Sequence, residues 1–318
     1  MNKKIITILC VILSVGLLTG CAKEDAKKQE SYKELGLTAM SEGDYEKAIE
    51  SFNKALKLAN GSVDNQEIDI CYYKAAAQYQ AGDFGGAVDT YTALMEYDEG
   101  DPMPIFLRGS IYANENQMEQ ALKDYKSAVK CDEEDYELYI QIFENLQELN
   151  HRDEGLEFLN LALEIEGNKA ENYMQRGRIY LILEQYDAAT KALNKAIDKN
   201  LDEAKVYLAQ VYLAQDEDDK AEATLEEYIK NDTVTSDALN IIGCMKMEQG
   251  DYEAALKYFK QGLGLDKVAD KKSLMKNEIA ALEHTGEFDT ASEKLEEYLK
   301  EYPTDEEAIR EKEFLATR

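Results

Sequence analysis

The stretch Gly43–Leu56 reads "GDYEKAIESFNKAL", and 207 residues later Gly250–Leu263 reads "GDYEAALKYFKQGL". Two phrases so alike and so far apart mark an internal repeat, and the residues between them fill in its period. Taking Gly43 as an anchor, equivalent turn residues stand at Gly82, Asn116, Asn150, Glu184, Asp216, Gly250 and Gly286, spaced by 39, 34, 34, 34, 32, 34 and 36 residues. Gly and Asn tolerate the left-handed backbone that closes a helix, so six of the eight positions suit a helix end and Glu184 and Asp216 suit it less well.

Three further positions keep register with the anchors. Five residues on stand Ala48, Ala87, Ala121, Gly155, Ala189, Ala221, Ala255 and Ala291, all small, as needed where two helix backbones approach closely. Four residues later, on the same helix face, come Phe52, Tyr91, Tyr125, Leu159, Leu193, Leu225, Phe259 and Leu295. Seven residues before the anchors stand Gly36, Ala75, Gly109, Gly177, Ala209 and Gly243, while Phe143 and Ile279 break the rule and predict looser or shifted packing in the fourth and eighth units. The longest loop, "ANGSVDNQE" from Ala59, accounts for the 39-residue spacing.

Helix–turn–helix units of about 34 residues with small and aromatic residues at fixed places resemble the tetratricopeptide repeat over about 29–305. The resemblance implies an all-α fold, a right-handed superhelical solenoid of about eight αα-hairpins, occupying residues 30–305. Pro303 is expected to break the last hairpin, and Thr304 with Glu307 stands in capping-box spacing to open a C-terminal capping helix over 306–318.

The chain opens "MNKKIITILCVILSVGLLTGC": two lysines, an apolar run from Ile5 to Leu18, small residues and a cysteine. That order is a secretory signal over residues 1–20, its apolar run shorter than the ~20 residues of a spanning helix. "LTGC" at Leu18–Cys21 resembles the bacterial lipobox, which implies cleavage before Cys21 and lipidation of its thiol. Two or more acyl chains anchor stably, at about 0.8 kcal/mol per buried methylene. Residues 21–29 then read as the lipidated cysteine and a charged tether. The expected location is outside the cytoplasmic membrane: its outer leaflet, or the outer membrane in a cell with two.

The formal charge is −29, and removing residues 1–20, which carry Lys3, Lys4 and no acid, leaves −31. Such a surface repels nucleic acid and anionic lipid; it reads first as a solvated acidic face with no specific target, and it would also suit a basic partner. Cys71, Cys131 and Cys244 have neither CxxC nor metal spacing and read as small core residues. His151 and His284 lack partners at ligand or triad spacing, and the acidic run from Asp216 fails as a calcium loop because Ala221 replaces the turn glycine and Lys220 a ligand. No cofactor, metal site or catalytic constellation is expected, and the chain does not read as an enzyme.

What remains is a surface. In the resembled family the first helix of each unit lines a concave groove that holds a partner's peptide or helix. Register carries that role to Tyr72, Tyr79, Met103, Phe106, Met174, Arg178 and Leu181, with Tyr72, Tyr79 and Phe106 as an aromatic patch unless packing between units buries them. Lys33 is followed one turn later by Leu37, so the family's lysine–asparagine carboxylate clamp is not reproduced. Arg108 and Arg176 are expected to pair with acids on an adjacent helix. Two readings follow: an adaptor gathering envelope proteins on its groove, or a surface lipoprotein capturing a glycan or small solute on its tyrosines.

Overall fold

The computed structural model describes residues 21–59, 63–230, 234–302 and 305–315. The signal sequence, Pro303 and Thr304 lie outside them, and nothing of the side chains of Cys21 and Glu307 is described. All regular structure among the described residues is helical, and the chain divides into two compact units, residues 1–165 and 166–318.

The first unit holds four hairpins: α1 (Cys21–Ser41) with α2 (Tyr45–Leu58), α3 (Asn65–Gln80) with α4 (Phe84–Tyr97), α5 (Pro102–Asn114) with α6 (Met118–Cys131), and α7 (Tyr136–Glu148) with α8 (Arg152–Leu163). The second holds four more: α9 (Ala170–Ile182) with α10 (Tyr186–Ile197), α11 (Ala204–Leu213) with α12 (Asp218–Tyr228), α13 (Ser236–Glu248) with α14 (Tyr252–Leu263), and α15 (Lys271–Thr285) with α16 (Phe288–Glu301). A last helix, α17 (Glu306–Leu315), packs on α16. Within each unit consecutive helices are packed neighbours, the arrangement of an αα-hairpin repeat solenoid.

The repeated "GD" explains how each hairpin closes. All eight anchors, Glu184 and Asp216 included, have positive φ, between 55° and 81°. At every one the following residue's N–H donates to the carbonyl five residues back at 2.7–2.9 Å, from Asp44 to Ala39 through Glu287 to Leu282. This 6→1 bond and the left-handed residue make the Schellman closure. Where the next residue is Asp44, Asp83 or Asp251, its carboxylate caps the second helix by accepting from the N–H of Lys47, Gly86 or Ala254. One dipeptide therefore ends one helix and starts the next.

The small positions are buried as their spacing requires. Seven alanines from Ala48 to Ala291 have no exposed surface, and Gly155 is buried with them. The small residue of each first helix lies against the large residue of its second helix. A Cβ at Gly177 would fall 2.5 Å from Leu193 Cγ, one at Gly109 2.9 Å from Tyr125 Cε1, and those at Gly36 and Gly243 would overlap Phe52 and Phe259. The fourth hairpin inverts the arrangement. Phe143, only 3% exposed, supplies the bulk from the first helix, and the second helix answers with Gly155, where a Cβ would lie 3.2 Å from Phe143 Cα and carbonyl oxygen. The packing is shifted there, not loosened.

Two expectations are corrected, and the described residues supply a cap for α17. No boundary separates a tether from the repeats at residue 29, because α1 runs unbroken from Cys21 and Gln29 is buried, donating to Glu67 Oε1 at 2.6 Å. The described start of α17 is capped by Asp305, whose Oδ1 accepts from Ala308 N. The cysteines are half-buried, not core. Cys71 and Cys244 lie at the edges of apolar clusters, and Cys131, at the last turn of α6, directs its thiol to the carbonyls of Glu99 and Ser127.

Two measurements test this packing. Gly155→Ala should destabilise by about 1–3 kcal/mol, because the new methyl meets the Phe143 ring at 3.0 Å and its backbone at 3.2 Å; in a Phe143→Ala background, which removes the ring, the penalty should shrink, read as a coupling in chemical denaturation. The second concerns Glu283 on α15, pushed up from 4.5 to about 7 by burial and then by the facing Glu311 carboxylate of α17. A carboxyl raised on folding stabilises fully below its unfolded value, so this contribution should fade as pH rises from about 4.5 through 7. Glu283→Gln should flatten that part of the stability–pH curve.

Candidate partner-binding surface

Position along a first helix decides what each groove residue can do. Ten residues before the anchor the side chain turns toward the hairpin's own second helix. Tyr72 is half-buried, its ring 6.2 Å from Tyr91, its hydroxyl donating to Asp101 Oδ2 at 2.9 Å on the next hairpin. Burial, reinforced by that carboxylate, pushes its phenol well above the usual tyrosine range. Phe106 packs 5.8 Å from Tyr125, and Met174, 7% exposed, belongs to the core of its hairpin. Met174 is therefore corrected from groove to core: its neighbours Leu193 and Leu208 are apolar and close over it.

Three residues before the anchor the side chain meets the start of the second helix. Tyr79 lies 5.4 Å from Phe84, and Leu181 packs half-buried beside the core of its own hairpin. Each aromatic ring of the expected patch thus goes to its own hairpin, and among the described residues none of Tyr72, Tyr79 and Phe106 pairs with another. Arg178 donates to Gln175 Oε1 at 2.8 Å and lies 5.1 Å over the ring of Tyr207 on α11. Met103, on the first turn of α5, is the residue of the set that stands exposed, at 38%.

Other exposed apolar side chains on first helices of the first unit are Leu35 at 49% and Tyr73 at 38%. Tyr73 is stacked on Phe52 at 6.1 Å with Lys33 Nζ 5.9 Å over its ring. Both fall one or two register positions from the stripe read from sequence, so the family register alone passed over them.

The arginines behave as structural groups. Arg108 is clamped to buried Asp124 through Nε–Oδ2 at 2.8 Å and Nη2–Oδ1 at 2.7 Å, with Nη1 donating to Thr92. Arg176 donates to the Gly167 carbonyl at 2.9 Å. Its guanidinium, with the ammonium groups of Lys195 and Lys199, lies within 5.2–5.8 Å of the Tyr173 ring, a cationic cluster from two helices that no linear spacing announces. Neither histidine contributes to a site: His151 faces Glu154 at 3.3 Å and His284 stacks on Tyr252 at 4.4 Å. Among the described residues no three His, Cys, Asp or Glu side chains converge to hold a metal ion, and no helix is long and apolar enough to cross a membrane.

Comparison with known proteins agrees with this geometry. Tetratricopeptide repeat family profiles match residues 30–60, 105–135 and 242–306, and the profile of the cytochrome c-type biogenesis protein H repeat domain matches 137–272. Hsp70-Hsp90 organizing protein 1 of Glycine max is 26% identical over 230 residues, covering 60% of this chain and 40% of that protein. TPR repeat-containing protein YpiA of Bacillus subtilis is 22% identical over 237 residues, covering 74% of this chain and 55% of its own. The chain thus spans about half the length of these curated relatives. A tetratricopeptide repeat protein of Parabacteroides merdae aligns with a TM-score of 0.45 and 18% identity over 79% of this chain and 99% of that one.

The division between packing and surface is measurable. Tyr72→Phe should lower stability by about 1 kcal/mol, through loss of the hydroxyl–carboxylate bond. Met103→Ala should change it by less than about 0.5 kcal/mol. Thermal or urea unfolding of the two variants reads both.

Proposed function

The chain belongs to the tetratricopeptide repeat family, and we propose that it is a lipid-anchored extracytoplasmic adaptor that gathers protein partners at the cell envelope. The supporting observation is the conjunction of two features: a lipobox ending at Cys21, and a repeat body whose first helices leave Leu35, Tyr73 and Met103 exposed. Exposed apolar groups on a repeat scaffold are sites for a partner's side chains. The partner is a protein segment carrying basic residues, because a charge of −31 on the chain after residue 20 draws cations and repels polyanions. The Glycine max relative is named as an organizing protein, a role of the same class. Capture of a glycan on the groove tyrosines is less favoured, since the rings of Tyr72 and Tyr79 face Tyr91 and Phe84.

Two experiments separate anchor from adaptor. Cys21→Ala should move the chain from the membrane to the soluble fraction; an unchanged distribution overturns the anchor. Crosslinking in native cells, followed by identification of what is captured, should recover an envelope protein that Met103→Asp loses while the melting temperature holds. Capture unaffected by Met103→Asp overturns the assignment of this surface.

A further inference from the structure

A second candidate site lies in the second unit. A cleft of about 350 Å³ is lined by α15 and α16, with Leu263 from the end of α14. Its lining carries Leu263 and Met275 as apolar wall and Glu278, only 4% exposed, as the acid. Two ion pairs flank the cleft, Lys271 with Glu301 at 2.6 Å and Lys294 with Glu297 at 3.0 Å. Each of these lysines is held by its own carboxylate. Lys294 and Lys260 act on Glu278 electrostatically, while the ion pair of Lys294 is made with Glu297. Lys300 and Glu297 stand at the exposed rim, where water and salt screen them.

A carboxylate removed from water without a partner is costly, and most buried carboxylates are paired. Burial accordingly pushes Glu278 above the usual carboxylate range. Glu278 lines open space large enough for a small organic group, beside the apolar stems of Met275 and Leu263. That is a carboxylate facing open space next to a surface suited to a hydrocarbon chain, with the neighbouring lysines Lys271 and Lys294 engaged by Glu301 and Glu297.

We propose that this cleft binds a primary alkylammonium group, its methylene stem against Met275 and Leu263 and its ammonium on the Glu278 carboxylate. A lysine side chain of a partner and a free alkylamine share that chemistry. The site draws on α15 and α16 of the eighth hairpin, with Leu263 from α14, and shares no residue with the surface containing Met103, so it stands whether or not the adaptor reading holds.

The test is calorimetric titration of the full chain in detergent with Nα-acetyl-lysine methylamide, and with the uncharged norleucine counterpart as control. The lysine compound should bind at least tenfold more tightly. Glu278→Gln, which keeps the side-chain volume, should erase that difference with the fold retained by circular dichroism. Leu263→Lys, which places an ammonium in the cleft from the chain itself, should also block binding. n-Butylammonium chloride distinguishes the source: binding equal to the lysine compound assigns free amines, weaker binding assigns a peptide lysine. Equal binding of the charged and uncharged amides, or binding undiminished in Glu278→Gln, overturns the proposal.

Discussion

Everything in this fold depends on the distance at which the two helices of a hairpin cross. A glycine or alanine on one helix lets a phenylalanine, tyrosine or leucine of the other lie flat against backbone, as Gly243 does for Phe259 and Gly177 for Leu193. Burying such a side chain contributes about 1.5–3 kcal/mol, and the contact recurs from hairpin to hairpin, with Phe143 inverting it in the fourth and Ile279 replacing the small residue in the eighth. The Schellman closures at Gly43 and its equivalents set the register that makes this crossing possible, since a slip of one residue would bring bulk against bulk.

The fold was legible because the determinants are local. Anchor, small residue and large residue lie within sixteen positions of one another, so the period alone places them. Even Glu184 and Asp216, poor residues for a left-handed turn, adopt it, because the surrounding hairpin over-determines the backbone. The surface was less legible. Met174 and Met103 both fall on the stripe selected by register, yet one is core and the other exposed. What separates them is how far the neighbouring hairpin closes over each, a property of three-dimensional packing. The Tyr173 cluster and the bond from Tyr72 to Asp101 join residues of different helices, and residue type at either end is too common to signal them.

Charge and packing divide the chain's chemistry between them. Of the buried polar groups, Asp124 is matched by Arg108 and Glu67 by Gln29, so most of the acidity is carried outside, where it sets which partners approach. Glu278 and Glu283 are the acids held inward on α15, and both rise above the normal carboxylate range because water is excluded. One helix thus carries both of the carboxyl groups in the second unit that folding raises.

The inverted pair at Phe143 and Gly155 bears on how such a chain can be rearranged in evolution. Whole hairpins carry both halves of their own lock, so a segment exchanged at the loops keeps every large residue with its matching recess. A crossover inside the fourth hairpin, joining its first helix to a second helix from elsewhere, would set Phe143 against an alanine and leave both backbones pushed apart. Exchange at the joints between hairpins would keep each such pair together, whereas exchange inside the fourth would part Phe143 from the glycine that makes room for it.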